Sequence, residues 1–123
     1  MAWGPPLHEQ TLLATGSFDR NVTIFRESAG KWEKIHVNTD HENSVNCVAW
    51  APALHGVILA SCSSDGSIQL MSLNDEWKAK RIRDVHKDGV NWIEFLPSTS
   101  TGSFFAKSAS NPPLTLATCG CDN

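Results

Sequence analysis

The sequence of 123 residues lacks any long uninterrupted apolar run. A helix that spans a membrane needs about 18 such residues, so the sequence argues against a chain that crosses a bilayer. It also lacks an excess of positive charge, because 10 Lys and Arg stand against 13 Asp and Glu and the formal net charge is −3. Non-specific binders of nucleic acid or of membrane surfaces are usually cationic, and that class is therefore disfavoured.

A secretion signal and a disulfide framework are lacking as well. Residues 1–6 carry neither a basic nor an apolar segment, so no secretory signal is predicted. Because Cys47, Cys62, Cys119 and Cys121 lie inside apolar runs, we expect reduced thiols of a cytosolic or nuclear protein. Cys119 and Cys121 are not spaced like zinc ligands and have no His/Cys partner pair nearby, so they predict no metal site.

The sequence has no segment with a sustained helical period, but it repeats itself. Residues 12–19 return as residues 58–65 and again as residues 115–122, each time as a β-prone run that ends in a turn aspartate. A second pattern begins with His, alternates apolar residues and closes with Pro. It spans residues 41–52 and returns 45 positions later at residues 86–97. Internal repeats of this length are typical of propellers and solenoids.

Each repeat predicts four short strands. In the complete repeat, residues 44–50 and 67–73 alternate, residues 57–63 form a continuous β-prone run, and the Ser-Asp-Gly of residues 64–66 predicts a tight turn. Residues 77–84 supply the fourth strand. Four strands in about 40–45 residues is the size of one β-propeller blade. The predicted fold class is therefore all-β, as a partial β-propeller.

The repeats of this sequence predict about two and a half blades, whereas a closed propeller has about four to eight blades. Residues 1–40 correspond to the end of one blade, residues 41–85 to a complete blade, and residues 86–123 to the first half of the next. The Ser-, Thr- and Pro-rich residues 97–113 predict a long loop insertion between the first two strands of that last blade. The sequence is thus expected to be a piece of a larger propeller.

One repeat carries the residue types of a hydrolytic triad, in His41, Ser61 and Asp65. A base, a nucleophile and a residue that orients the base could in principle be built from them. The corresponding residues of the next repeat are His86, Thr118 and Asp122. Because a catalytic triad has no reason to be copied once per repeat, we predict no catalytic residue, no cofactor and no metal.

The basic cluster of the sequence consists of Lys78, Lys80, Arg81, Arg83 and Lys87. A surface that binds nucleic acid would interleave such charges with stacking aromatic residues, and the cluster lacks them. Most of the cluster lies on the predicted fourth strand, which is the outer edge of a blade. Lys and Arg at such an edge prevent pairing with other chains, and this is the interpretation that the pattern favours.

Four stretches carry a resemblance to a known family: residues 25–34, 41–52, 56–68 and 120–123. Together with the repeat length, they make the chain resemble WD-repeat β-propellers. The Trp-Asp that gives the family its name is absent, and Asp40-His41 and Val85-His86 replace the usual Gly-His. Phe95-Leu96-Pro97 also replaces an expected Trp-Ala-Pro.

The resemblance implies a buried hydrogen-bond network that ties the loop before a blade to the second strand and its turn. The residues of this chain that match the network are Thr15, Asp19, His41, Ser61, Asp65, His86, Thr118 and Asp122. Family blades complete it with a Trp six positions after the turn Asp, where this chain has Phe25 and Met71. Neither side chain can donate, and each lost hydrogen bond is worth about 0.5–1.5 kcal/mol.

Within the family, the chain resembles the small subunit shared by the COPII vesicle coat and the outer ring of the nuclear pore. This resemblance implies a non-enzymatic scaffold for endoplasmic reticulum (ER) to Golgi protein transport and for the pore, built as a six-bladed open propeller. The implied partners are a Sec-thirty-one-like coat subunit and a nucleoporin, each donating a blade to the complete protein.

The same resemblance implies no direct contact with nucleic acid and a contact with membranes only through the coat. The implied locations are the cytoplasmic face of the endoplasmic reticulum, the COPII coat and the nuclear pore. None of the residues present can be assigned to the blade-insertion site, because that site would lie on the first and last blades. The alternative is another WD-repeat interaction adaptor, including the related propeller of the nuclear-pore ring.

Overall fold

The fold was obtained as a computed structural model, which describes residues 1–4, 11–53, 56–96 and 114–122. Over these residues the chain forms ten β-strands and no helix, which confirms the predicted all-β class. The strands are β1 (Ala2–Trp3), β2 (Thr11–Gly16), β3 (Val22–Ser28), β4 (Lys31–Asn38), β5 (Val45–Trp50), β6 (Val57–Ser63), β7 (Ile68–Leu73), β8 (Trp77–Ile82), β9 (Val90–Phe95) and β10 (Leu116–Gly120).

The strands form three antiparallel sheets in chain order. β1 to β4 make the first sheet, β5 to β8 the second, and β9 pairs with β10 in the third. Each strand pairs with its neighbour in the chain, as consecutive strands usually do. β1 contributes only two residues, with Ala2 opposite Ala14, so its sheet is four-stranded although its first strand is short.

The three sheets pack against one another through two apolar cores. Between the first and second sheets lie Ala14, Val22, Ile24, Val45, Val48, Leu59 and Met71. Between the second and third sheets lie Ala51, Ala60, Cys62, Ile68, Val90, Ile93 and Phe95. Strand β7 serves both cores, because side chains alternate between the two faces of a strand. Ile68 accordingly packs in the second core and Met71 in the first, as the alternation of residues 67–73 predicts.

The turn between β6 and β7 is the predicted Ser-Asp-Gly turn, and it also joins neighbouring sheets. Gly66 has φ of 83°, a left-handed conformation that glycine adopts without steric cost. A Cβ at this position would also collide with the backbone oxygen of His86. The Gly66 oxygen accepts a hydrogen bond of 2.9 Å from the backbone N–H of Val85, on the segment that leads to β9.

The predicted loop insertion at residues 97–113 lies outside the described residues. Among those described, no helix has the length and apolar character needed to cross a membrane.

Candidate functional site: the buried histidine networks

His41 lies in the segment that joins the first sheet to the second, and only 2 % of its surface is exposed. Its ring nitrogens reach the second strand of the second sheet and the turn that follows. Nε2 lies 2.8 Å from the Ser61 hydroxyl, and Nδ1 lies 3.2 Å from the Ser67 hydroxyl. The Asp65 carboxylate is 3.5 Å from Nδ1. The structure therefore brings together His41, Ser61 and Asp65, and it adds Ser67.

Asp65 organises the turn that carries it. Its Oδ1 accepts a 2.8 Å hydrogen bond from the backbone N–H of Ser67 and a second, short one from the Ser67 hydroxyl. Its Oδ2 accepts a 2.8 Å bond from the backbone N–H of Glu42, next to the histidine. One carboxylate thus closes its own turn and binds the segment between the sheets. An Asp side chain that accepts a hydrogen bond from the backbone two residues later is common in turns.

Arg81 of β8 supplies the cation of this network. Its Nη2 lies 2.9 Å from Asp65 Oδ2, its Nε donates to the Ser67 hydroxyl at 3.2 Å, and its Nη1 donates to the Asp40 backbone oxygen at 3.0 Å. The guanidinium fork binds several acceptors at once, which lysine could not do. The assignment of Arg81 to a protective edge cluster is therefore wrong, because its side chain folds over the turn and is largely buried.

The charges of the network leave the histidine neutral. Burial alone would raise the pKa of Asp65, but hydrogen bonds from Ser67 and from the Glu42 N–H hold it at about 2. Burial lowers the pKa of His41 below its ordinary value of 6.5, although the nearby Asp65 opposes this shift. Because Arg81 already neutralises Asp65, His41 is a hydrogen-bonding group here rather than a cation.

The tautomer of His41 follows from its partners. The Ser67 hydroxyl gives its proton to Asp65, so it must accept from His41, and Nδ1 therefore carries the proton. Nε2 then accepts a hydrogen bond from Ser61. A buried network that satisfies its members in this way fixes one arrangement of the chain.

The next repeat holds a second network of the same design. His86 Nδ1 lies 2.6 Å from Asp122 Oδ1, and Nε2 lies 3.1 Å from the Thr118 hydroxyl. The other Asp122 oxygen accepts a 3.1 Å hydrogen bond from the backbone N–H of Lys87. That bond and the contact with His86 lower the pKa of Asp122 below its ordinary range.

Thr15 and Asp19 are not brought together with a histidine among the described residues. Asp19 instead closes its own exposed turn, where its carboxylate accepts a 3.1 Å hydrogen bond from the Asn21 N–H. Its N–H donates to the Ser17 hydroxyl at 3.3 Å, and the contacts with Ser17 and Asn21 lower the pKa of Asp19. Of the eight predicted network residues, six thus meet in two clusters.

The two positions where family networks place a tryptophan hold apolar side chains. Met71 is fully buried and packs in the first core, and Phe25 is half-buried on β3. The first network, around His41, extends beyond the predicted residues, because Gln69 Nε2 donates to the carboxylate of the neighbouring Asp40 at 3.1 Å. Gln69, Ser67 and Arg81 are therefore additional polar partners of the first network, which sequence reasoning missed.

The geometry of the first cluster does not suit a nucleophile. Ser61 is fully buried, so its hydroxyl has no path to a substrate. A cavity of about 400 Å³ does exist, but it is lined mainly by the first strand of each sheet (β1, β5 and β9) and includes none of these residues. Across residues 1–4, 11–53, 56–96 and 114–122, no group of three or more His, Cys, Asp or Glu side chains could hold a metal ion.

The chain forms four-stranded antiparallel sheets, and a histidine before the second sheet contacts a hydroxyl and an aspartate within that sheet. This combination is what the resemblance to WD-repeat propellers implied. The sequence profile of the WD40 domain of anaphase-promoting complex subunit 4 matches residues 1–96. The chain therefore belongs to the WD40-repeat family.

Within that family, the chain is similar to SEC13 proteins. It is 35 % identical to a protein SEC13 homolog of Drosophila melanogaster, over all of this chain and 36 % of that protein. It is 41 % identical to protein transport protein SEC13-2 of Candida glabrata, over 82 % of this chain and 35 % of that protein. It is 35 % identical to protein transport protein sec13 of Emericella nidulans, over 92 % of this chain and 40 % of that protein. The chain thus spans between a third and two fifths of the length of these relatives.

Proposed function

We propose that the chain is part of a non-enzymatic scaffold subunit of the COPII vesicle coat, which serves ER-to-Golgi protein transport, and of the outer ring of the nuclear pore. The observation that carries the proposal is the identity of 35 % with a SEC13 homolog over the whole chain. The buried network around His41 supports it, because it ties the segment between two sheets to the second sheet and offers no group to a substrate. A rigid platform for other proteins is what such a molecule provides.

The proposal includes the blade layout that the sequence predicts. Residues 1–40 form the end of one blade, 41–85 a complete blade and 86–123 the start of another, within a six-bladed open propeller. The chain spans 36 % of one relative, and a relative nearly three times as long as this chain leaves room for the remaining blades.

The partners in the proposal are a Sec-thirty-one-like coat subunit and a nucleoporin. Each would add a blade to the open propeller by pairing a strand with an exposed sheet edge and burying the blade faces. The locations that follow are the cytoplasmic face of the endoplasmic reticulum, the COPII coat and the nuclear pore. The membrane would be reached only through the coat.

Affinity purification of the tagged protein from its own cells tests the proposal. We expect coat subunits and nucleoporins to co-purify, and to remain with the protein after a high-salt wash because blade faces are apolar. A matched control carries Gly66→Val, which cannot adopt φ of 83° and should lose both sets of partners together with its fold. Recovery of neither set with the unaltered protein would contradict the proposal and favour another WD-repeat adaptor role.

A further inference from the structure

Cys47 lies in the wall of the cavity formed by β1, β5 and β9. It lies on β5 and is half-buried. The cavity, of about 400 Å³, is also lined by Trp3, Trp50, Trp92 and Glu94. A small molecule that enters it therefore lies beside Cys47, which takes no part in the histidine networks.

A second thiol lies directly opposite the first. Cys62 of β6 pairs with Cys47 in the antiparallel register and is fully buried. Directly opposed residues place their side chains on the same face, with Cα atoms about 4.5–5.5 Å apart. Disulfides need Cα atoms within about 4.4–6.8 Å, so this pair can be bridged with little backbone movement.

The two thiols differ in how readily they lose a proton. The interaction with the neighbouring Cys62 thiol lowers the pKa of Cys47, while burial and the Glu94 carboxylate oppose that shift. The same interaction and burial raise the pKa of Cys62. The accessible sulfur is therefore the one that becomes the thiolate, which is the nucleophilic form of cysteine.

We propose that Cys47 is a thiol–disulfide exchange site for low-molecular-weight disulfides, with Cys62 as the thiol that resolves the product. The Cys47 thiolate attacks one sulfur of the small disulfide, whose S–S bond breaks and releases one small thiolate. Cys62 then gives up its proton and attacks the Cys47 sulfur, which releases the second small thiol. The small disulfide is reduced to two thiols, and the two cysteines are oxidised to a disulfide between β5 and β6.

The other two cysteines provide an internal comparison. Cys119 lies on β10 opposite Trp92, and the Cys121 sulfur accepts a 3.0 Å hydrogen bond from the Asn91 side chain. Both are exposed. They can react with a small disulfide, but neither has a thiol directly opposite it in the register.

Oxidised glutathione added to a native lysate that contains the tagged chain tests the proposal. After acid quenching and alkylation, cleavage after Trp50 separates the two cysteines, and mass spectrometry identifies peptides linked through Cys47 and Cys62. We expect this linked pair to be the main product on these two residues, whereas Cys119 and Cys121 carry glutathione. Equal yields of the linked pair from native and urea-unfolded chain would overturn the proposal, because the fold would then contribute nothing.

Substitutions separate the two roles. Cys62→Ser removes the resolving thiol, so a mixed disulfide with glutathione should accumulate on Cys47, and Cys62→Ala repeats the test with a smaller apolar side chain. Cys47→Ser should leave Cys62 unmodified, since Cys62 is buried. The control, Cys119→Ser with Cys121→Ser, should leave the linked pair unchanged. Absence of the mixed disulfide from folded Cys62 variants would contradict the assignment.

Discussion

At the scale of single residues, Arg81 changes how the histidine network should be understood. The carboxylate of Asp65 would be expected to pair with His41, but it is closer to the guanidinium, at 2.9 Å against 3.5 Å. The arginine also holds the Asp40 backbone oxygen, so one side chain connects β8 with the segment that leads into the sheet. The cation that stabilises the turn aspartate therefore comes from the outermost strand of the same sheet.

Replacement of Arg81 by Ala is expected to lower the free energy of unfolding by about 2–3 kcal/mol, because it leaves a buried carboxylate without its cation. Arg83→Ala is the matched control. Arg83 is two residues further along the chain and mostly exposed, and it forms a surface ion pair with Glu42 at 3.4 Å. Because exposed ion pairs contribute little, Arg83→Ala should lower the free energy of unfolding by less than about 0.5 kcal/mol. Urea unfolding of both variants in the complete protein measures the difference, and equal costs would assign Arg81 to the surface.

The neutrality of His41 predicts how stability depends on pH. Its folded-state pKa lies below the ordinary 6.5, so the unfolded chain takes up the proton first as the pH falls. Stability from this residue is therefore complete above 6.5 and is lost below it. His41→Gln should flatten that part of the profile, whereas His36→Gln leaves the His41 contribution in place.

Asp65 adds a second loss of stability in acid, as the pH falls from 3.8 to about 2. Unfolding midpoints measured against pH check both steps, and a wild-type profile that rises below 6.5 would contradict them.

At the scale of strands and turns, much of the structure could be predicted because its determinants are local. The period of two along β7 and the Ser-Asp-Gly turn before it follow from neighbouring residues. The role of Arg81 could not be predicted, because Lys78, Lys80 and Arg83 on the same edge give the same local pattern. Its contact with Asp40 joins residues 41 positions apart, and only the packed sheet brings them together.

Turn geometry yields a prediction for the first sheet. Arg20 occupies the place that Gly66 holds in the second sheet, one residue after the turn aspartate, and it has φ of 75°. A residue with a Cβ pays a steric penalty of about 1–2 kcal/mol in this conformation. Arg20→Gly should therefore raise the free energy of unfolding by about 0.5–1 kcal/mol, after the extra flexibility of the unfolded glycine is counted.

Arg20→Ala is the control for this change, because it removes the same exposed side chain but keeps the Cβ. It should give no gain in thermal or urea unfolding. An equal gain from both variants would show that the arginine side chain, rather than the backbone conformation, is unfavourable.

At the scale of the whole molecule, hydrogen bonds connect each sheet to the segments that join it to its neighbours. Asp65 binds the segment before its own sheet, Gly66 binds the segment before the third sheet, and Asp122 repeats the first of these contacts with Lys87. The second sheet is consequently covered on both faces by apolar cores. Among the residues that the structure describes, the first sheet has an apolar core on one face only, and its other face carries Trp3 and Trp32, whose rings lie 5.9 Å apart.

This uncovered face predicts the behaviour of the isolated 123-residue chain. Trp3 is 64 % exposed and Trp32 is 48 % exposed, and Trp92 adds a third large apolar surface at 56 %. Faces of this kind drive association when no neighbouring repeat covers them. Sedimentation velocity should therefore show concentration-dependent association, which Trp3→Ser combined with Trp32→Ser should reduce. Phe18→Ser is the control, because Phe18 is 93 % exposed but lies on a turn rather than on the sheet face. A monomer that melts cooperatively at every concentration would contradict this prediction, because the first sheet would then be stable with its aromatic face in water.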